Sequence, residues 1–282
     1  MSKIGLMVCG NSGIDYINVD YPVKVIHSTL NLGDKEYEDY VDITAETFYN
    51  TVVSNPDIAI STSQTPTGKI AEVYEEFKKE GYTSVIAIMI SSKLSGTYQG
   101  AVLASTLVEG LDIHVIDSKS VSHGEYYLVQ KAIEMIKAGK KAEEIKETLE
   151  QLREKIRIMV LVDTLKYLVK NGRLSATSGF LGTLLKIKPL LHVTPEGALV
   201  PLEKIRTTSK ARERLLEILI EETKNKKVDI FLAYTNNKID AEHLKNLILE
   251  QKPDVLVELV PLTPVVGAHA GPGTIGVGYI ER

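Results

Sequence analysis

The stretch Ser91-Ser92-Lys93-Leu94-Ser95-Gly96-Thr97-Tyr98-Gln99 follows directly on the apolar run Val85-Ile86-Ala87-Ile88-Met89-Ile90. A buried strand thus ends in a small, hydroxyl-rich loop with one glycine. A helical pattern then begins, with Tyr98, Ala101, Val102 and Ser105 on one face. Strand, polar loop and helix N-terminus together form the place where an open α/β sheet tends to hold a ligand. Free backbone N–H groups and the positive end of the helix dipole favour an anion there. Ser and Thr hydroxyls add donors without bulk, so the chemistry on offer is the binding of a carboxylate or a phosphate. Ser61-Thr62-Ser63-Gln64-Thr65-Pro66 offers the same at another helix start. Both stretches also have an ordinary reading as helix caps, with Pro66 at the first helical position.

Two further segments could add charge or a proton. Asn171-Gly172-Arg173-Leu174-Ser175 follows the apolar segment 165–169 and reads as a helix stop with Arg173 beside it. Val265-Val266-Gly267-Ala268-His269-Ala270-Gly271-Pro272-Gly273 surrounds one histidine with three glycines and a proline. Such a bare loop allows close backbone approach, which makes His269 a functional candidate. Sharper motifs fail. Thr67-Gly68-Lys69 resembles the end of a phosphate loop, but Ile70 stands where Ser or Thr is required and Ser63 where the first Gly is. Ser95 is flanked by Lys93 and Thr97 instead of the glycines of a nucleophile elbow. No strand is followed by G-x-G-x-x-G, and the histidines form no H-x-x-x-H pair. Asp117 and Asp163 end strands and could do acid–base work, although carboxylates there more often cap the next loop.

Apolar runs rich in Val and Ile must position these loops. The predicted strands are 4–8, 23–26, 85–90, 113–117, 158–163, 190–194, 199–205, 228–233, 255–260 and 275–280. Helical patterns lie between many of them. One follows Pro66 with Ile70, Val73 and Phe77 inward, one covers 142–155 with Ile145, Leu149 and Leu152 on a stripe, and two cover 209–224 and 240–250. The alternation predicts an α/β architecture with largely parallel pairing in the first half. Pro195-Glu196-Gly197-Ala198 between two strands predicts a hairpin, hence antiparallel pairing in the second half. The change of style places two α/β domains at residues 1–160 and 161–282.

The chain is 282 residues long with 44% hydrophobic and 25% charged residues, the balance of a globular protein with a sizeable core. Its net charge of −4 gives no electrostatic footprint for nucleic acid and no polybasic membrane anchor. Cys9 is the single cysteine, which excludes an internal disulfide and a thiolate zinc site. The N-terminus runs straight into a strand-like segment, without the pattern of a signal peptide, and the cytoplasm is the expected compartment.

Taken together, the loops resemble the DegV family of bacterial proteins. The resemblance rests on Thr62-Ser63-Gln64, 91–98, Ile116-Asp117-Ser118, 167–175, Lys188-Pro189 and 267–273, which occur in the family's order along almost the whole chain. Two departures stand out. Gly10-Asn11-Ser12-Gly13 has Asn where the family usually has an acid, and Asn171 replaces a common Gly. The resemblance implies a non-catalytic fatty-acid carrier of two α/β domains, the first with a largely parallel sheet and the second mixed. The acyl chain would lie in an internal tunnel with no cofactor. The ligand would be a long-chain acid such as a C16–C18 acid.

By motif match the carboxylate falls to Thr62, Ser95 and His269, with Ser63, Gly96 and Gly267 beside them. The family also implies a fatty acid kinase subunit as partner, which converts the bound acid to acyl-phosphate, and transient membrane contact. Arg173 and Arg206 would serve partner docking. Physically, a carboxylate only accepts hydrogen bonds, so hydroxyls and an imidazole N–H suit it. A tail of roughly fifteen methylenes at ~0.8 kcal/mol each supplies most of the gross affinity, before association costs. The competing reading is an enzyme acting on a small carboxylated or phosphorylated metabolite, for which the sequence offers no nucleophile–base pair or metal set.

Overall fold

A computed structural model describes residues 3–174 and 188–282. Its strands, in chain order, are β1 (Ile4–Cys9), β2 (Val23–Ile26), β3 (Thr29–Leu32), β4 (Lys35–Glu38), β5 (Ile60–Ser63), β6 (Ser84–Met89) and β7 (Asp112–Asp117). They continue with β8 (Ile156–Leu161), β9 (Lys188–Val193), β10 (Leu199–Ile205), β11 (Val228–Tyr234), β12 (Val257–Pro261) and β13 (Ile275–Glu281). The helices are α1 (Ala45–Ser54), α2 (Thr67–Lys79), α3 (Thr97–Ser105), α4 (His123–Lys137), α5 (Ala142–Leu152), α6 (Lys166–Lys170), α7 (Thr208–Glu222), α8 (Lys238–Gln251) and α9 (Pro264–Ala270).

The first sheet has the order β2-β1-β6-β7 and is parallel throughout, as the apolar runs predict. Its central strands are buried on both faces, which is why they read as unbroken apolar segments. Met7, Val85 and Ala87 meet Ile70, Tyr74 and Phe77 of α2 and Ala101 and Ala104 of α3. Leu6, Val8, Ile86 and Ile88 point the other way, onto α4 and α5. On α2 the fully buried stripe is Ile70, Tyr74 and Phe77, with Val73 packed against the same core as expected but only partly buried. On α3 the buried residues are Thr97, Gly100, Ala101 and Ala104, and Val102 is exposed. Pro66 is the residue just before α2 instead of its first.

The second sheet has the order β10-β9-β8-β13-β11-β12, antiparallel except for the β11–β12 pair. β9 and β10 form the predicted hairpin, with a bulge between Pro201 and Glu203. One face packs Met159, Leu161, Ile230 and Leu232 against Leu215 and Leu219 of α7 and Leu244 and Ile248 of α8. The other face presents Ile158, Leu191, Val193 and Phe231 to the same core that covers α4 and α5. The two sheets therefore share one apolar interior.

A third, antiparallel sheet of order β4-β3-β5 was not expected from the sequence. Its strands have four residues each and are largely polar. Only alternate residues, Leu30, Leu32 and Ile60, are buried. They pack on Phe48, Tyr49 and Val52 of α1 and on Val265 and Ala268 of α9. Phe48 is fully buried at the centre of this layer. Phe48→Ala should lower stability by about 3–5 kcal/mol in urea unfolding. A loss within 1 kcal/mol would show that the layer is not cooperative with the rest.

Candidate functional site

Thr62 stands on β5, held there by antiparallel pairing of β5 with β3. It is thus a strand residue, where the sequence suggested a loop. His269 lies in the last turn of α9, not in a bare loop. The short helix is defined by Thr263, whose hydroxyl caps Val266 N–H, and by Pro264 at its start. The glycines that hid it from helical patterning have other work. A Cβ on Gly267 would collide with the ring and hydroxyl of Tyr49, so only glycine lets α9 lie against α1. Tyr49 Oη in turn donates to Leu262 O at 3.1 Å, and Val265 N–H donates to Asp39 Oδ1 at 3.1 Å. Burial pushes the Asp39 carboxyl up to about 6.

These anchors bring Thr62 Oγ1 and His269 Nε2 to 2.8 Å across 207 residues of sequence. Arg173 is next to them. It follows α6, whose end is a Schellman turn: Gly172 N–H bonds Val169 O, Arg173 N–H bonds Leu168 O, and Gly172 has φ of 66°. The Arg173 guanidinium donates to Leu94 O at 3.2 Å and to Asn171 O at 2.7 Å. Leu94 precedes Ser95, so this bond joins the arginine to the hydroxyl loop after β6. Asn171 Nδ2 donates to Ala268 O at 3.1 Å and ties the arginine turn to the histidine helix. Asn171, a departure from the family pattern, thus has a structural role here. Ser175 of the same motif lies outside the described residues.

Ser95 Oγ lies 2.8 Å from Thr97 Oγ1 and accepts from Thr97 N–H at 3.3 Å, a local serine turn just before α3, whose N-cap position is Gly96 and carries no side-chain cap. Gly96 leaves room for the Gln64 carboxamide, which a Cβ would strike. Thr62, Ser63, Gln64, Ser95, Arg173 and His269 all line one cavity, with about 1030 Å³ free of protein atoms, its open mouth included. The rest of the wall is mainly apolar. Ile90, Leu94 and Val121 come from the first sheet's side, and Ile158, Val193 and Phe231 from the second. Small residues keep the space open: Ala233 on β11 and Gly276 on β13 stand where large side chains would fill it. Gly96 and Gly267 act behind the wall, and Arg206 is exposed after β10, outside the cavity.

Burial, and then the nearby Arg173 charge, lower the His269 pKa to about 4. His269 is therefore neutral near pH 7, and the positive charge in the cavity belongs to Arg173. Neutral imidazole has one donor and one acceptor nitrogen. Nδ1 is buried without a partner among the described residues. Nε2–H donating to Thr62 Oγ1 leaves the Thr62 O–H free for a ligand, and leaves only a lone pair unmatched on Nδ1. Sequence reasoning missed β3 to β5, although Gly33-Asp34 between two alternating runs is a hairpin signal. It also gave Arg173 no place in the cavity. Among the described residues no group of three or more His, Cys, Asp or Glu side chains is placed to hold a metal ion. None of the described helices is long and apolar enough to cross a membrane.

Known proteins share this fold. The profile of the DegV family, described as "Uncharacterised protein, DegV family", matches residues 15–282. The chain belongs to the DegV family. A DegV domain-containing protein of Clostridium acetobutylicum is 34% identical over 284 residues, covering 100% of both chains. The crystal structure of a fatty acid binding DegV family protein from Streptococcus agalactiae matches with a TM-score of 0.91 and 29% identity over 100% of both chains. DegV from Bacillus subtilis, described as a fatty acid binding protein, matches with a TM-score of 0.89 and 28% identity, again over 100% of both chains. The α/β architecture with one parallel and one mixed sheet is thus that of DegV structures.

The lowered His269 pKa sets a pH dependence. Between about pH 6.5 and pH 4 the unfolded chain binds a proton at this residue that the folded protein does not. The stability contribution is whole above that window and falls as pH drops through it, by at most about 1.4 kcal/mol per unit. Denaturant unfolding of wild type and His269→Gln at several pH values should show a difference that shrinks toward pH 4. A constant difference would contradict a neutral, buried His269.

Proposed function

We propose that this protein is a fatty-acid carrier. A long-chain acid lies along the apolar wall of the cavity, and its carboxylate accepts from the Thr62 and Ser95 hydroxyls, with His269 orienting the Thr62 hydroxyl. The observation that carries this reading is the joining of an apolar cavity to a compact group of hydroxyl donors around the Thr62–His269 bond, with Arg173 beside it. It is supported by relatives that are described as fatty acid binding proteins. The division of labour follows from magnitudes. Each buried methylene adds ~0.8 kcal/mol, whereas a charged hydrogen bond adds about 1.5–3 kcal/mol. The tail therefore supplies most of the affinity, and the polar group fixes which end sits at it.

Arg173 has two parts in this reading. Its position in the cavity lets it balance the carboxylate charge, and its turn lies next to the loop of Ser95. Arg206, exposed after β10, serves docking of a fatty acid kinase that phosphorylates the presented carboxylate to acyl-phosphate. No cofactor is needed for the carrier step, since binding and release break no covalent bond.

Native and denatured masses of the purified protein, with mass spectrometry of its organic extract, test the reading. A stoichiometric long-chain acid that exchanges with added labelled acid is expected. Protein that is empty and stays empty when the acid is offered contradicts it. Thr62→Val and Ser95→Ala should each weaken acid binding by about 1–2 kcal/mol. Full affinity in the double variant would remove both from the site. Arg206→Ala should keep acid affinity and slow acyl-phosphate formation, while Arg173→Ala lowers both; acid affinity unchanged in Arg173→Ala would limit that residue to docking.

A further inference from the structure

The cavity wall carries a second pair of polar side chains on different elements from the first. Asn11 follows β1, and Ser122 immediately precedes α4. Both line the cavity, and they are only 5% and 6% exposed. Asn11 Nδ2 donates to Glu125 Oε2 at 2.6 Å, which fixes the carboxamide, while Oδ1 makes no hydrogen bond to a described residue. Burial raises the Glu125 pKa well above the usual carboxylate range. Ser122 occupies a cap position, where a hydroxyl ordinarily accepts a helix N–H. Here its backbone carbonyl takes the N–H groups of Glu125 and Tyr126, and its side chain makes no cap bond. Around the pair the wall is apolar, with Val121, Ile158 and Phe231.

Two polar side chains that face the cavity from an otherwise apolar wall point to a polar group on the ligand that pairs with them. The donor–acceptor pattern says what. A carboxylate only accepts, and so has nothing to offer Asn11 Oδ1. A hydroxyl both donates and accepts: it can give its proton to Asn11 Oδ1 and take one from Ser122 Oγ. Resting on the fatty-acid reading of the cavity, we propose that Asn11 and Ser122 form a second polar subsite that takes a hydroxyl group carried on the acyl chain. The ligand class is then a long-chain fatty acid with a chain hydroxyl, and Glu125 is the residue that positions Asn11.

The test compares octadecanoic acid with a series of monohydroxylated octadecanoic acids, each bearing its hydroxyl at a different chain position. Affinities are measured for wild type, Ser122→Gly and Asn11→Leu. Ser122 has φ of 55°, which glycine adopts without strain, so that variant keeps its fold. In wild type at least one positional isomer should bind about fivefold tighter than octadecanoic acid. Both variants should lose that preference while holding octadecanoic acid at wild-type affinity. Three results overturn the proposal: every isomer binding more weakly than the parent acid, as when a water fills the subsite; a preference that survives both substitutions; or equal losses for parent and hydroxylated acids. Failure to bind any of these acids refutes instead the fatty-acid reading on which it stands.

Discussion

The hydrogen bond between Thr62 and His269 is the constraint around which the rest of the structure is arranged. Its partners lie 207 residues apart, on a short polar strand and in a two-turn helix, and neither element would be stable alone. Each is held by something else. β5 depends on β3 for pairing and on Phe48 and Val52 for burial. α9 depends on Thr263 and Asp39 at its start and on Asn171 at its end. The closeness of α9 to α1 requires Gly267. A site built this way is rigid because many weak local choices agree on one geometry.

Beneath that bond lies a space that ordinary packing would have closed. Protein interiors fill to crystal-like density, so a cavity between two sheets has to be maintained by small residues in its wall. Ala233 and Gly276 stand on the face of the second sheet that looks toward the first. In the proposed function the apolar wall supplies affinity and the polar rim supplies orientation. Keeping His269 neutral beside Arg173 divides the polar work further: the arginine holds charge, and the imidazole orders the threonine hydroxyl.

What the sequence revealed follows from how each element is buried. β1 and β6, covered on both faces, announced themselves as apolar runs, and with them the parallel sheet and the loop of Ser95 were placed correctly. The β9–β10 hairpin was legible from Pro195 and Gly197. β3 to β5 were not, because half of their residues face away from the core and their length is below the reach of periodicity. Their loss turned Thr62 into a loop residue. α9 was hidden by the glycines in and after it, which serve close tertiary contacts, Gly267 with Tyr49 and Gly271 with Tyr167. Arg173 was visible as a charge after a helix stop, but nothing in the linear chain says that its guanidinium turns inward to Leu94.

The proposed hold of the polar group at Thr62, Ser95, His269 and Arg173 on an ionised carboxylate is the step on which the function rests. It is tested most directly by carbon-13 NMR of a fatty acid labelled at its carboxyl carbon and bound to the protein. A single bound resonance is expected that stays in the carboxylate form well below the pH at which free carboxylic acids protonate, with that protection reduced in Thr62→Val. A bound carboxyl that titrates as it does in water, or one unaffected by Thr62→Val, would contradict it.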